Sequence, residues 1–157
     1  MPPSWTIAIG CDDAGSEYKE LIKADMEKDP RVKAVIDCGV TKGSDDFKTP
    51  YPHTGVATAR KVASGEADRA LLICGTGMGV AIAANKVKGI RASVAHDSFS
   101  VERLVKSNNA QVLCLGQRVI GIEVARKLVG EWLGHEFDPT SASAAKVAVI
   151  GDYENEA

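Results

Sequence analysis

The 157-residue chain predicts a Rossmann-like, three-layer α/β/α domain on a five-stranded parallel sheet. Two observations carry this prediction. Short apolar runs alternate with segments of helical period, the order expected when crossover helices cover both faces of a parallel sheet. The run Ala70-Leu71-Leu72-Ile73-Cys74 is apolar at every position, as a central strand buried on both faces requires.

Residues 6–10 form the first predicted strand, and a helix follows over about 15–28. Residues 32–37 are the second strand. The polar stretch 41–52, with Pro50 and Pro52, predicts an exposed loop leading into a helix over about 52–65. Residues 70–74 are the third strand, followed by a short helix over about 78–87. Residues 91–95 and 111–115 complete the sheet, with a helix over about 98–107 between them. The helix over 121–133 places Ile122, Ala125, Leu128, Val129 and Trp132 on one face. Gly134 to Pro139 is a break, and Ser141 to Ile150 makes a last helix whose Ala142, Ala145 and Val149 favour packing on a partner. The whole chain, 1–157, therefore reads as one domain, with 134–157 as a C-terminal extension against a second subunit.

A formal charge of −2 with interspersed signs gives no footprint for nucleic acid. No apolar stretch is long enough to span a bilayer, and Met1-Pro2-Pro3-Ser4-Trp5 lacks the pattern of a signal peptide. Cys11, Cys38, Cys74 and Cys114 match neither a zinc-site spacing nor a Cys-x-x-Cys pair. A cytoplasmic protein with free thiols and no metal site is the simplest expectation.

Chemistry concentrates in Ile73-Cys74-Gly75-Thr76-Gly77-Met78-Gly79, where a buried strand runs into a glycine turn and an apolar helix. The glycines let backbone approach a ligand, and the first N–H groups of a helix favour negative charge. A thiol beside such donors is more easily ionised than a free one. A base for a carbon-bound proton and a cradle for the resulting oxyanion are thus side by side. The same glycine spacing occurs in nucleotide-binding loops and in turns that need glycine for shape alone, so it decides nothing by itself. In parallel sheets, ligands bind at the carboxyl ends of strands. Asp12 and Asp13 after the first strand, the Cys74 loop after the third and Arg118 after the fifth should share one crevice.

Gly10-Cys11-Asp12, Tyr51-Pro52-His53, the Cys74 loop, Ala83-Ala84-Asn85-Lys86, Gly89-Ile90-Arg91-Ala92, Asn108-Asn109-Ala110 and Leu115-Gly116-Gln117-Arg118 stand in one ordered register. Over residues 6–133 the chain resembles type B ribose-5-phosphate isomerases and their galactose-6-phosphate relatives. The resemblance implies aldose–ketose isomerisation of a phosphorylated sugar through an enediolate, without metal or organic cofactor, in a homodimer or higher oligomer with shared sites. It makes Cys74 the base between C1 and C2, and Thr76 the group that moves the proton between the oxygens. The amides of Gly75, Gly77, Met78 and Gly79 would hold the enediolate, Asp12 and Asn108 the sugar hydroxyls, and Arg118 the phosphate.

Three positions depart from that pattern. Asp13 replaces a histidine, Ser107 replaces the histidine that opens the furanose ring, and the two expected phosphate arginines fall at Ala142 and Lys146. Serine is no acid near neutral pH, and lysine gives a point contact rather than a fork. Asp13 either binds an additional hydroxyl or caps the helix beginning near Ser16. Ribose 5-phosphate is the default substrate by family frequency, with a tetrulose or hexose phosphate as the alternative. A non-catalytic sugar-phosphate binder is the competing class, and retention of Cys74 with Thr76 argues against it. His53 is placed near the ligand or at a helix cap, while His96, His135, Cys11, Cys38 and Cys114 are assigned to packing or surface roles.

Overall fold

The computed structural model describes residues 2–156. It forms one parallel sheet in the order β2-β1-β3-β5-β4, from β1 (Trp5–Cys11), β2 (Val32–Asp37), β3 (Arg69–Cys74), β4 (Ala92–Val94) and β5 (Val112–Gly116). The helices are α1 (Ser16–Lys28), α2 (Tyr51–Ala63), α3 (Met78–Ala84), α4 (Ser98–Lys106), α5 (Ile122–Trp132) and α6 (Ser143–Asn155). Each predicted strand and helix is present, with ends displaced by a few residues. The short α3 stops at Ala84, where the Asn85 side chain bonds Ala92 N and O at 2.8 Å each and fastens the helix end to β4.

The period of two along each central strand divides the core between the layers. Ile7, Ile9, Leu71, Ile73, Leu113 and Leu115 join α1, α4 and α5 residues such as Ile22, Val101 and Trp132. Ala8, Leu72, Cys74, Val112 and Cys114 meet Ala59 of α2 and Val80 and Ala84 of α3. The smaller second set lets α2 and α3 approach closely. β3 is buried throughout, as its continuous apolar run predicts.

Strand order creates the crevice. β2 lies on one side of β1 and β3 on the other, so the connections leaving β1 and β3 diverge between them. At the opposite end of the sheet, buried Arg69 stacks on Trp5 at 3.9 Å and donates to Trp132 O (2.9 Å) and His135 O (2.5 Å). Its burial pushes the guanidinium down to about 10. This clasp anchors the break after α5, and His135 takes part through its carbonyl, a structural role as expected.

The final helix runs beyond its expected end, to Asn155, and buries none of its side chains. Its Glu154 carboxylate accepts the Gly89 N–H at 3.0 Å. Val149, Ile150 and Tyr153 are left open, the last 70% exposed.

Candidate active site

Cys74 closes β3 with its side chain turned toward α2 and α3 and only 3% exposed. The chain then reverses through Gly77 at φ 79°, a left-handed conformation costly for any side chain. A Cβ there would also lie 2.9 Å from the Leu115 carbonyl carbon. This turn folds the Gly77 N–H back onto Cys74 Sγ at 3.1 Å. Met78 N–H in turn donates to Thr76 Oγ1 at 3.3 Å. Two of the four amides assigned to the oxyanion cradle are therefore engaged with the thiol and the hydroxyl. The other two, of Gly75 and Gly79, have no partner among the described residues.

The loops after β1, β3 and β5 meet at Gly75. A Cβ on that residue would sit 3.4 Å from Arg118 Nη1 and 3.7 Å from the Ala14 methyl. The β5 end is laced to the loop by Gln117 N to Cys74 O (2.9 Å) and Arg118 N to Gly75 O (3.0 Å). Among the described residues the Arg118 guanidinium has neither an ion pair nor a side-chain hydrogen bond. Beside it opens a cavity of about 360 Å³, lined by Asp13, Ala14, Lys42, Phe47, Gln117 and Arg118 among others. An unpaired guanidinium on a cavity wall is suited to an oxyanion, since it loses no internal partner on binding.

The two aspartates differ. Asp12 accepts the Gly15 N–H at 3.2 Å and caps the short turn Asp13–Gly15, whereas α1 starts after Gly15 with no side-chain cap, so Asp13 does not cap that helix. Burial, then the charge of Asp13, raises the Asp12 carboxyl above its ordinary range. Asp13 faces out and pairs with Lys48 at 2.8 Å, and that hydrogen bond holds its carboxyl below the ordinary range. Lys48 comes from the loop before α2, distant in sequence, and no local pattern marks it as a partner of Asp13.

Asn108 and Lys146 do not join this crevice within the chain. Asn108 follows α4 and lines a separate cavity of about 390 Å³ with Asn85, Arg91, Ile150 and Glu154, none of them from the Cys74 loop. Lys146 is exposed on α6, and lines neither cavity. Ser107 accepts from Arg103 Nη1 at 3.3 Å. His53 is exposed at the start of α2. Its neighbour Tyr51 is closer to the chemistry, because a Cβ on Gly79 would fall 2.7 Å from the Tyr51 ring. Cys11 and Cys114 are buried packers, and burial raises both thiols, Cys11 to about 12.

Residues 7–150 match the ribose/galactose isomerase family. The chain belongs to that family. It is 66% identical over 148 residues to D-erythrulose-4-phosphate isomerase 2 of Mycolicibacterium smegmatis, covering 94% of this chain and 96% of that one. It is 42% identical to ribose-5-phosphate isomerase B of Escherichia coli, over 84% of this chain and 85% of that protein. Type B ribose 5-phosphate isomerase of Leishmania infantum superposes with a TM-score of 0.90 at 33% identity, covering 99% of both chains. The structure of ribose-5-phosphate isomerase B from Clostridium thermocellum gives 0.85 at 40% identity, over 96% of this chain and 98% of that one. This member of the ribose/galactose isomerase family is thus an enzyme, an aldose–ketose isomerase of phosphorylated sugars. The non-catalytic alternative is set aside.

Proposed function

We propose that this isomerase interconverts D-erythrulose 4-phosphate and the corresponding aldose phosphate. The observation that carries the reading is Ser107. The enolising loop is complete, whereas the position of the ring-opening acid holds a hydroxyl engaged with Arg103. A tetrose 4-phosphate cannot close a furanose ring, because its terminal oxygen carries the phosphate, so it needs no such acid. Support comes from the relatives: besides the mycobacterial protein, a 41% identical chain from Pectobacterium atrosepticum is a D-erythrulose-4-phosphate isomerase. This shifts the substrate away from the ribose 5-phosphate default.

In this mechanism Cys74 Sγ, ionised, takes the proton from one carbon and returns it to the next. Thr76 Oγ1 passes the proton between the two oxygens. The Gly75 and Gly79 amides meet the enediolate charge at once, and those of Gly77 and Met78 add to it as they release Sγ and Oγ1; one donor of this kind contributes on the order of 3 kcal/mol. Asp12 receives a sugar hydroxyl. Arg118 holds the phosphate, and Asp13, neutralised by Lys48, stands beside it without repelling it.

The enzyme works as a homodimer, or a larger assembly of such pairs, in the cytoplasm. Asn108 and Lys146 then serve the crevice of the other subunit. Support lies in α6, whose apolar residues are uncovered, and in Met78 and Ile82 of α3, 57% and 64% exposed beside the catalytic loop. The experiment is a panel of four- to six-carbon phosphorylated ketoses and aldoses followed by NMR. The four-carbon pair should give the highest kcat/KM; a ribose 5-phosphate reaction faster than every open-chain substrate overturns the assignment.

A further inference from the structure

His96 was assigned to the surface or to packing, yet it stands at the same end of the sheet as the catalytic loop. β4 stops pairing with β5 at Val94, opposite Cys114. Two residues later the His96 side chain continues the contact, its Nε2 accepting the Gly116 N–H at 2.9 Å. Gly116 is the residue of β5 opposite Cys74. It packs so tightly on the loop that a Cβ would fall 2.7 Å from the Thr76 carbonyl carbon. The amides of Gln117 and Arg118, next along the chain, are those that donate to the carbonyls of Cys74 and Gly75. One imidazole thus secures the end of β5, which packs on the loop carrying the thiol and the hydroxyl and leads into Arg118.

The bond constrains the protonation state. Nε2 can accept only while it carries no proton, so the imidazole is neutral with its hydrogen on Nδ1. A proton on Nε2 would set two N–H groups face to face and leave the Gly116 amide without an acceptor. The charged group whose field reaches the ring is Asp97, its chain neighbour, which favours the cation; burial outweighs it and holds His96 below its ordinary range. At the contact, β5 presents the uncharged run Leu115-Gly116-Gln117.

We propose that His96 is a positioning residue for the isomerisation: by holding the Gly116 amide, its neutral imidazole sets β5 against the Cys74–Thr76 loop. Proton transfer then runs at full rate only while Nε2 is unprotonated. The proposal rests on the reading of Cys74 and Thr76 as the proton-transfer pair.

The test is the pH dependence of kcat and KM of the full chain with D-erythrulose 4-phosphate, for the parent, His96→Gln and His96→Leu. A single proton whose loss is required for activity gives an acid limb of about tenfold per pH unit. Below the ordinary imidazole range the parent limb should be steeper, because a second proton acts. In His96→Gln an amide oxygen accepts without titrating, so the limb should return to one proton, with kcat near pH 7.5 within about threefold of the parent. His96→Leu should lose roughly tenfold in kcat with little change in KM, the scale of one lost part-buried hydrogen bond. A steep limb retained in His96→Gln, or a parent-like kcat in His96→Leu, overturns the proposal.

Nitrogen-15 NMR of the parent supplies a readout that needs no variant. The Gly116 amide should shift with the His96 titration, and an amide that does not move also overturns the proposal. Full activity of Cys74→Ala would instead refute the proton-transfer reading, leaving the amide titration intact, so the two failures are separable.

Discussion

At the carboxyl ends of β1, β3 and β5, the functional groups are held by bonds between neighbouring strands and loops. Around α6, a thirteen-residue helix rests on the chain with no buried side chain. The first region has Cys74 Sγ fastened to the Gly77 amide and the Arg118 backbone fastened to Gly75. The second has Asn108 and Lys146 facing other surroundings, with Val149, Ile150 and Tyr153 uncovered. Proton transfer needs atoms placed to within a fraction of an ångström, which a strand end and a glycine turn supply. Contacts to hydroxyls and phosphate tolerate a subunit interface, and in the proposed dimer a second chain would complete what the first leaves open.

Replacing Cys74 by alanine breaks the comparison most sharply. If Cys74 is the base, as proposed, the change should lower kcat by about 10²–10⁴-fold while the fold and phosphosugar affinity persist. Stopped-exchange NMR with isothermal binding checks both; activity within a few fold of the parent removes Cys74 from its role.

Arg118→Ala should raise KM by about ten- to a hundredfold, the scale of a lost charge-assisted contact. Lys146→Ala should do less. Equal KM values for parent and Arg118→Ala would place the phosphate elsewhere.

Mixing tests the second region. Inactive Cys74→Ala and impaired Asn108→Ala homodimers, unfolded and refolded together, should recover about a quarter of parental activity, because half the chains form mixed dimers with one intact shared site each. No recovery despite demonstrated mixed dimers would place Asn108 in the crevice of its own chain or outside the site.

The smallest effects concern the aspartates. Asp12→Asn keeps an acceptor for the Gly15 amide and removes a carboxylate whose ionised form burial disfavours. It should raise Tm by about 1–3 °C while weakening kcat/KM. The sign follows from a folded-state carboxyl above its unfolded value: the ionised group costs stability at neutral pH, and that cost fades as pH falls from the raised folded value to the unfolded one. The gain in Tm should therefore shrink as pH falls through the raised folded-state value and be gone below about pH 4, and a gain independent of pH would contradict the assigned cause.

The sequence alone determined most of the first region. The all-apolar run 70–74 named a central strand, and Gly77 named the turn because only glycine takes φ 79° there without strain. The places of Cys74, Thr76 and Arg118 were legible since each lies at or just past a strand end, while the roles proposed for them come from the family resemblance. Lys48, Tyr51 and His96 were not, because pairing with Asp13, packing on Gly79 and bonding to Gly116 join segments far apart in the chain. Sequence periodicity records which face of an element is buried, not which element lies beside it. Only the tertiary structure decided the order β2-β1-β3-β5-β4, which opens the crevice between β1 and β3 and brings His96 beside the end of β5. It also separated Asn108 from Cys74, since the placement of α4 and α6 depends on packing between distant segments that no local pattern encodes.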